Sequence, residues 1–542
     1  MSERLLAAAE TYPEFTAIEY YGRRITYRAL SEKVRRLSEA WRRLGIAPGD
    51  RVILCLPNVP EMVTSLYALN LAGAVSCLVH PLSTASEMSF YIQDTGSRWL
   101  ITMDIFYRNF KECIKKSRIA KVVLTSPFAE LPFSLRLLAL LRRRQRYRTL
   151  PSGDDDLLVS WESLTRELPP PVDRAFRYAS CDPALVLFTG GTTGTPKGVL
   201  LSNGNLNALA DQVLSQIQPR SGDSVLCILP FFHGFGLGVC LHPTLLGGGR
   251  CILVPRFSKE EFINAVARKR PNYIVGVPTH FEALVKSKKL QKLSFSFLKA
   301  AVSGGDTVPL SLIRRFNDFM KDHGSNVTLR EGYGLTECVS ACSVMPENSP
   351  KVGSIGLPLP GNRFKIVYPQ TMEEVPRGEE GEICVEGPTV MLGYNNRPDE
   401  TAQVLRKHDD GYLWLHTGDL GFMDEDGYVY FTGRLKRIIK CSGFSVYPSR
   451  VERVIESHPA VLQSCVIGVP DEYAMSKVKA FVVLKENIRP GEHMAEEIKR
   501  YVAEHLTKWS VPTEVVFVDR LPLTRMGKVD YQKLEEGGGS VS

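Results

Sequence analysis

Twelve residues, Leu187-Phe188-Thr189-Gly190-Gly191-Thr192-Thr193-Gly194-Thr195-Pro196-Lys197-Gly198, hold four glycines, four threonines and one lysine, directly after the apolar run Ala184 to Phe188. A strand that empties into such a loop presents backbone N–H groups, hydroxyls and an ammonium to one small volume, which suits a polyphosphate. It is not a Walker A loop, because that pattern needs Gly-Lys-Ser/Thr and Lys197 stands between Pro196 and Gly198. Farther on, Arg330-Glu331-Gly332-Tyr333-Gly334-Leu335-Thr336-Glu337 sets a hard carboxylate beside a glycine-flanked turn, a fit for Mg²⁺. Asp419, in Trp414-Leu415-His416-Thr417-Gly418-Asp419, offers a carboxylate that can accept both hydroxyls of a ribose. Taken singly, each of these segments reads equally well as a structural turn.

The elements that must position these residues follow from hydrophobic period. Residues 1–45 read as a short helix, a hairpin (Ala17 to Tyr21, then Arg24 to Tyr27) and an amphipathic helix with Leu30, Val34, Leu37, Trp41 and Leu44 on one face, stopped by Gly45. Arg51 to Leu56 reads as a strand, Pro60 to Leu71 as a helix and Ala74 to Val79 as a strand, and this α/β alternation with largely parallel sheets continues for the next 250 residues or so. After Lys351 come short strands and Gly/Pro turns, as in Gly361 to Val367 and Gly381 to Glu386, which suggest a distorted β-barrel subdomain. A smaller α+β unit starts near Gly433, with a capping box at Ser449-Arg450-Val451-Glu452, strands Val461 to Ile467, Lys479 to Leu484 and Glu514 to Val518, and a helix Met494 to Leu506. The expected domains are 1–433, 434–536 as a small mobile lid, and a flexible tail, 537–542.

At 542 residues the chain needs several folding units, and 44% hydrophobic with 23% charged residues is a soluble globular composition. The start lacks the apolar core of a secretory signal. The longest uncharged run, Ser224 to Gly249, is broken by Pro230, His233, His242 and Pro243, so a buried strand–loop–helix wall is expected rather than a membrane span. Twelve cysteines without a Cys-x-x-Cys pair argue for reduced thiols in a cytoplasmic protein, against a disulfide framework or zinc site, and the ten histidines call for no metal-ligand or triad reading. The net charge of +8 does not by itself suggest nucleic acid. Leu131 to Arg148, however, holds six arginines, no acidic residue and a leucine-rich first half. It suits either a helix lying peripherally on the anionic inner face of a membrane or a solvated basic hairpin.

The loop at Thr189–Lys197 resembles the phosphate-binding loop of the adenylate-forming superfamily of acyl-CoA synthetases, peptide-synthetase adenylation domains and beetle luciferases, and the match runs along nearly the whole chain. Its Gly190-Gly191 version leans towards stand-alone acyl-CoA synthetases. The resemblance implies a large N-terminal domain of layered α/β subdomains plus a distorted β-barrel, with a mobile α+β C-terminal lid. It further implies that Thr189, Gly190, Gly191, Thr192, Thr193, Gly194 and Lys197 cradle phosphate, that Gly332 and Tyr333 pack on adenine, that Thr336 contacts the α-phosphate and that Glu337 helps hold Mg²⁺. Asp419 and Arg434 become ribose or phosphate contacts. Lys528, in Leu521-Pro522-Leu523-Thr524-Arg525-Met526-Gly527-Lys528, becomes the cation bridging carboxylate and α-phosphate. Lys436 becomes the hinge of a lid that trades Lys528 for a face carrying Lys440 and Gly443, beside a pantetheine arm. Phe232, His233, Gly234 and Phe235, with Val277-Pro278-Thr279-His280 and Ser303-Gly304-Gly305, are the implied acyl-pocket positions. His233 reads either as a carboxylate gate or as a buried wall residue. Three departures stand out: Asn203 where Ser-His is usual, Asp306 after Gly304-Gly305, and Met475-Ser476 in place of Gly-Glu.

The function implied is an ATP-dependent acid–thiol ligase with Mg²⁺ and CoA, forming acyl-AMP from a medium- or long-chain fatty acid. Two alternatives stay open: loading of a carrier protein in trans, and a non-catalytic membrane-associated adaptor. Retention of Lys197, Glu337, Asp419, Arg434 and Lys528 argues against the adaptor.

Overall fold

The computed structural model describes residues 1–132, 157–170, 179–189, 196–256, 258–441, 444–471, 475–523 and 529–537. Gly190 to Thr195, Gly443 and Lys528 therefore lie outside the described residues, as does the basic segment from residue 133 onward. The chain forms two compact units: one of residues 1–350, 358–362 and 387–405, the other of 351–357, 363–386 and 406–542. Among the described residues no helix is long and apolar enough to cross a membrane.

The first unit carries two largely parallel sheets. One runs in spatial order through Ser343–Val344, Leu329–Tyr333, Ala300–Gly304, Tyr273–Gly276, Ser224–Cys227, Arg250–Leu253, Thr16–Tyr20 and Arg23–Thr26. The other runs through Gly393–Tyr394, Lys197–Ser202, Pro183–Thr189, Val75–Leu78, Arg51–Cys55, Trp99–Met103, Lys121–Thr125 and Leu158–Ser160. Sequence period explains the covering helices. Tyr27–Arg43 buries Leu30, Val34, Leu37 and Trp41 from one face, and the Thr26 hydroxyl accepts from Ala29 N–H to cap its start. Pro60–Ala72 is buried on every side; most of its residues are apolar, and of its buried polar ones Glu61 accepts from the Thr125 hydroxyl and Thr64 donates to the Pro60 carbonyl. The uncharged run becomes the strand Ser224–Cys227, a π-helical turn Phe235–Leu241 and a helix His242–Leu246, as the wall reading expects except for the π-helix.

In the second unit a five-stranded sheet contains Arg363–Val367, Gly381–Glu386, Leu413–Met423 and Leu405–Lys407, with Val429–Arg434 pairing to the long strand Leu413–Met423. That strand shifts register between Leu420 and Gly421, and Asp419 still falls opposite Arg434. The following sheet joins Ile439–Cys441, Phe444–Val446, Met475–Leu484, Val461–Asp471 and Glu514–Phe517, covered by helices Pro448–Ser457 and Glu492–His505. The capping box expected at Ser449 does not form. The helix starts at Pro448 with no side-chain cap. Ser449 Oγ donates to the Thr432 carbonyl, and the Glu452 carboxylate accepts from Arg437 and from Val466 N–H. Tertiary partners outcompete the local cap because each is held by its own packed element.

Candidate active site

Strand Pro183–Thr189 is central and buried at Ala184 to Leu187, and it pairs antiparallel with Lys197–Ser202 so that Thr189 lies opposite Lys197. Thr189 Oγ donates to Lys197 O at 3.4 Å across this pair. Gly198, next in the strand, has no room for a side chain, since a Cβ there would stand 2.9 Å from Val186 Cγ1.

Lys197 Nζ forms an ion pair with Glu400 and lies 4.8 Å from the centre of the Tyr394 ring. Tyr394 Oη in turn donates to Glu337 Oε1 at 2.8 Å. Tyr394 is brought here because Gly393–Tyr394 adds as an antiparallel strand to Lys197–Ser202, with Asn395 N–H reaching Gly198 O at 2.7 Å. Burial and the neighbouring Glu337 carboxylate push the Tyr394 phenol well above its ordinary value, so it stays a proton donor. Hydrogen bonds from Lys197 and Arg397 hold the Glu400 carboxyl below the usual range. The Lys197–Glu400 pair is about a third exposed on both sides. Such a pair is worth only about 0–1 kcal/mol, so a polyphosphate can compete for the lysine.

The Mg²⁺ candidate sits where Leu329–Tyr333 ends. That strand runs parallel to Ala300–Gly304 with Gly304 opposite Gly332. A Cβ on Gly304 would stand 2.9 Å from Gly332 O and 3.1 Å from the Phe235 ring. Gly305 adopts φ +82°, a left-handed conformation that favours glycine. Thr336–Cys338 forms a single helical turn, followed by a tight turn at Val339 with φ 63° and ψ −41°. There Ser340 N–H donates to Cys338 O at 2.7 Å, closing a strained γ-turn on a β-branched residue. Strain of about 1–3 kcal/mol persists only where surroundings enforce it. The enforcing contacts are backbone-close: a Cβ on Gly234 would fall 1.7 Å from Val339 O, and one on Gly334 1.8 Å from Ser340 O. His233 and Glu337, far apart in sequence, thereby share one packed junction. His233 is half-buried and its Nδ1 accepts from Phe235 N–H at 3.2 Å, at the mouth of the π-helical turn. The half-buried Glu337 accepts from the Tyr394 phenol, and its carboxylate oxygens are hard donors of the kind that fits Mg²⁺.

Because Gly334 is locked by backbone, Gly334→Ala is expected to cost at least about 2 kcal/mol of stability and to abolish adenylation. Gly332→Ala, whose Cβ would meet nothing closer than 3.6 Å, is expected to fold as the wild type. Urea midpoints of the two variants check this; equal midpoints would remove the steric argument.

Other sequence candidates take structural places. His280 is buried, accepts from Val277 N–H and stacks on Phe262 at 4.8 Å. Burial lowers it to about 4, so it is neutral and caps its helix. Asp306 is exposed and accepts from its neighbour Thr307 N–H. Asn203 Oδ1 accepts from the Met1 amine and from Asn70 Nδ2 within the core.

In the second unit Asp419 is buried and pairs with Arg434 Nε at 3.0 Å, straight across the strand pair. Gly418, at φ +72°, donates its N–H to Glu382 Oε1. Lys436 is exposed in the short turn Leu435–Arg437. Arg434 on one side is tied to the sheet through Asp419, while Arg437 on the other is tied to Glu452 of helix Pro448–Ser457 and lies over the Tyr531 ring. A torsion change at Lys436 therefore separates two anchored arginines. Lys440 lies opposite Ser445 in the next hairpin.

Tyr394 and Glu400 are site residues that sequence reasoning missed. Their only signal is an aromatic and acidic cluster, Tyr394 to Glu400, after the Gly387-Pro388 turn. Nothing in spacing ties it to Lys197.

A family model described as "AMP-binding enzyme" matches residues 5–395, and one described as "AMP-binding enzyme C-terminal domain" matches 450–528. The chain is 33% identical over 541 residues to a long-chain-fatty-acid–CoA ligase of Bacillus subtilis (strain 168), covering 98% of this chain and 93% of that protein. It is also 33% identical over 523 residues to a feruloyl-CoA synthase of Amycolatopsis sp, covering 96% and 95%. Its fold superposes on ATP-bound MatB from Rhodopseudomonas palustris with a TM-score of 0.84 at 27% identity, covering 99% of each chain. With matched family models over both parts of its length, the chain belongs to the AMP-binding enzyme family.

Proposed function

We propose that the protein activates a medium- or long-chain fatty acid. The carboxylate attacks the α-phosphorus of ATP, releasing pyrophosphate and leaving acyl-AMP, and the CoA thiol then displaces AMP to give the thioester. It is an AMP-forming acid–thiol ligase that works with ATP, Mg²⁺ and CoA. The observation that carries the site reading is the chain Glu400–Lys197–Tyr394–Glu337, which sets a cation and a metal-type carboxylate on one phenol.

Lys197 leaves Glu400 for the phosphates, and Thr189 helps close the loop on them. Glu337, held by Tyr394, would bind Mg²⁺, which supplies charge neutralisation at the phosphate oxygens. Thr336 opens the helical turn that leads into the strained turn beside Gly234, and His233 flanks the entering carboxylate. Asp419, already buried against Arg434, supplies the ribose contact. Residues 434–536 act as the lid, turning at Lys436 to offer Lys528 for adenylation and the Lys440–Gly443 face for thioester formation.

A panel of acetate, octanoate, palmitate and ferulate in ATP–pyrophosphate exchange, followed by CoA or a phosphopantetheinylated carrier, tests the substrate reading. Octanoate or palmitate should dominate and CoA should be the acceptor; preference for ferulate, or thioester on the carrier alone, would overturn it. The six arginines of Leu131–Arg148 support delivery of such an acid from an anionic surface, each basic residue there adding roughly 1 kcal/mol. Cosedimentation with anionic vesicles should fade with salt and on neutralising Arg142, Arg143 and Arg144; unchanged binding by that variant removes the idea.

A further inference from the structure

The five-stranded sheet of the second unit gathers three side chains the reaction does not use. Cys384 lies opposite His416 on the neighbouring antiparallel strand, and His408 follows Leu405–Lys407 at the edge. Cys384 is 0% exposed and both histidines 4%. One ligating atom from each lies within 4.8 Å of the others.

Glu382 defines the chemistry of this cluster. Its Oε2 accepts from His416 Nδ1 at 2.9 Å, and its Oε1 accepts from Gly418 N–H at 3.0 Å. In the neutral tautomer with its proton on Nδ1, His416 has a bare lone pair on Nε2, and that atom faces His408 Nε2 at 3.0 Å. A carboxylate behind a histidine whose other nitrogen faces a second imidazole and a thiol is the usual outer support of a metal-bound histidine. A proton on His408 Nε2 also satisfies the contact but gives the thiol no part, and in either arrangement the buried His408 Nδ1 has no hydrogen-bond partner. Of the charges around the cluster, Lys365 is paired with Asp410 at 2.7 Å and lies over Trp414, Arg406 stands on the edge strand, and Glu382 is anionic.

We propose that Cys384, His408 and His416 form a buried structural site for a borderline-soft divalent cation of the zinc type. Two imidazoles and a thiolate select such an ion over Mg²⁺, whose preference is oxygen. Binding replaces the thiol proton with a sulfur–metal bond and releases that proton to solvent. Because the cation takes the place of the thiol proton, the two compete for the Cys384 sulfur. Because all three donors are covered, the ion is acquired as the sheet forms. Through Glu382 it braces the turn at Gly418 that leads into Asp419.

The test unfolds the full-length protein in chelator and refolds it with Co²⁺ in excess Mg²⁺. Thiolate-to-cobalt absorption should appear with about one ion per chain, be lost in Cys384→Ser, and fall at least about tenfold in apparent affinity in His408→Gln. Zn²⁺ should raise the urea midpoint of the wild type and raise that of His408→Gln by less at the same concentration. Metal-free midpoints of the variants, compared with metal-free wild type, separate lost ligation from lost folding. If Cys384→Ser does not fold, His408→Gln alone decides. No absorption in the refolded wild type, or equal binding by His408→Gln, overturns the site.

Discussion

Lys528→Ala is expected to lower carboxylate-dependent ATP–pyrophosphate exchange by about 10²–10³, or roughly 3–4 kcal/mol of transition-state stabilisation. Negative charge accumulates as the carboxylate approaches the α-phosphate, and a lysine placed there acts before any solvent reorganisation. The same variant should convert supplied acyl-AMP and CoA to thioester within a few-fold of wild type, because the proposed lid motion would turn Lys528 away for that step. Lys440→Ala should show the opposite split. The fixing of Arg434 by Asp419 and of Arg437 by Glu452, with exposed Lys436 between them, is what makes a swivel at that position mechanically plausible. Equal losses in both half-reactions for Lys528→Ala would show that the lysine supports folding or nucleotide binding rather than one step.

Glu337→Gln is expected to lower kcat about 10²-fold and to raise the Mg²⁺ concentration needed for half-activity. Glutamine keeps an oxygen able to accept from Tyr394 Oη but loses the charge that holds a hard cation, so shape is spared and electrostatics removed. Tyr394→Phe should give a smaller effect of the same kind, because a hydrogen bond to a charged group is worth about 1.5–3 kcal/mol and here it positions the carboxylate. Titrating Mg²⁺ at saturating ATP and acid distinguishes the two roles. A Tyr394→Phe enzyme with lower activity but unaltered Mg²⁺ dependence would assign Tyr394 to packing under Lys197 instead.

Much of this was legible in residue order. The candidate phosphate loop is contiguous, as are Gly332 to Glu337 and Thr417 to Asp419, so each proposed contact could be read from a few neighbouring residues. Helix Tyr27–Arg43 and strand Arg51–Cys55 follow from apolar period, because a face must be buried whatever lies across from it. The capping box at Ser449 was misread for the opposite reason: its local pattern was sound, but Thr432, Arg437 and Val466 claimed the side chains.

The amino-acid sequence by itself determined the α/β architecture and the family and put forward the contiguous nucleotide motifs, since these depend on local period and on neighbours along the chain. Only the tertiary structure decided that Tyr394 joins Lys197 to Glu337, that Gly234 props the strained turn at Val339, and that Cys384 meets two histidines. Those contacts depend on strand register and on backbones approaching within a Cβ of each other, quantities that sequence separation does not encode.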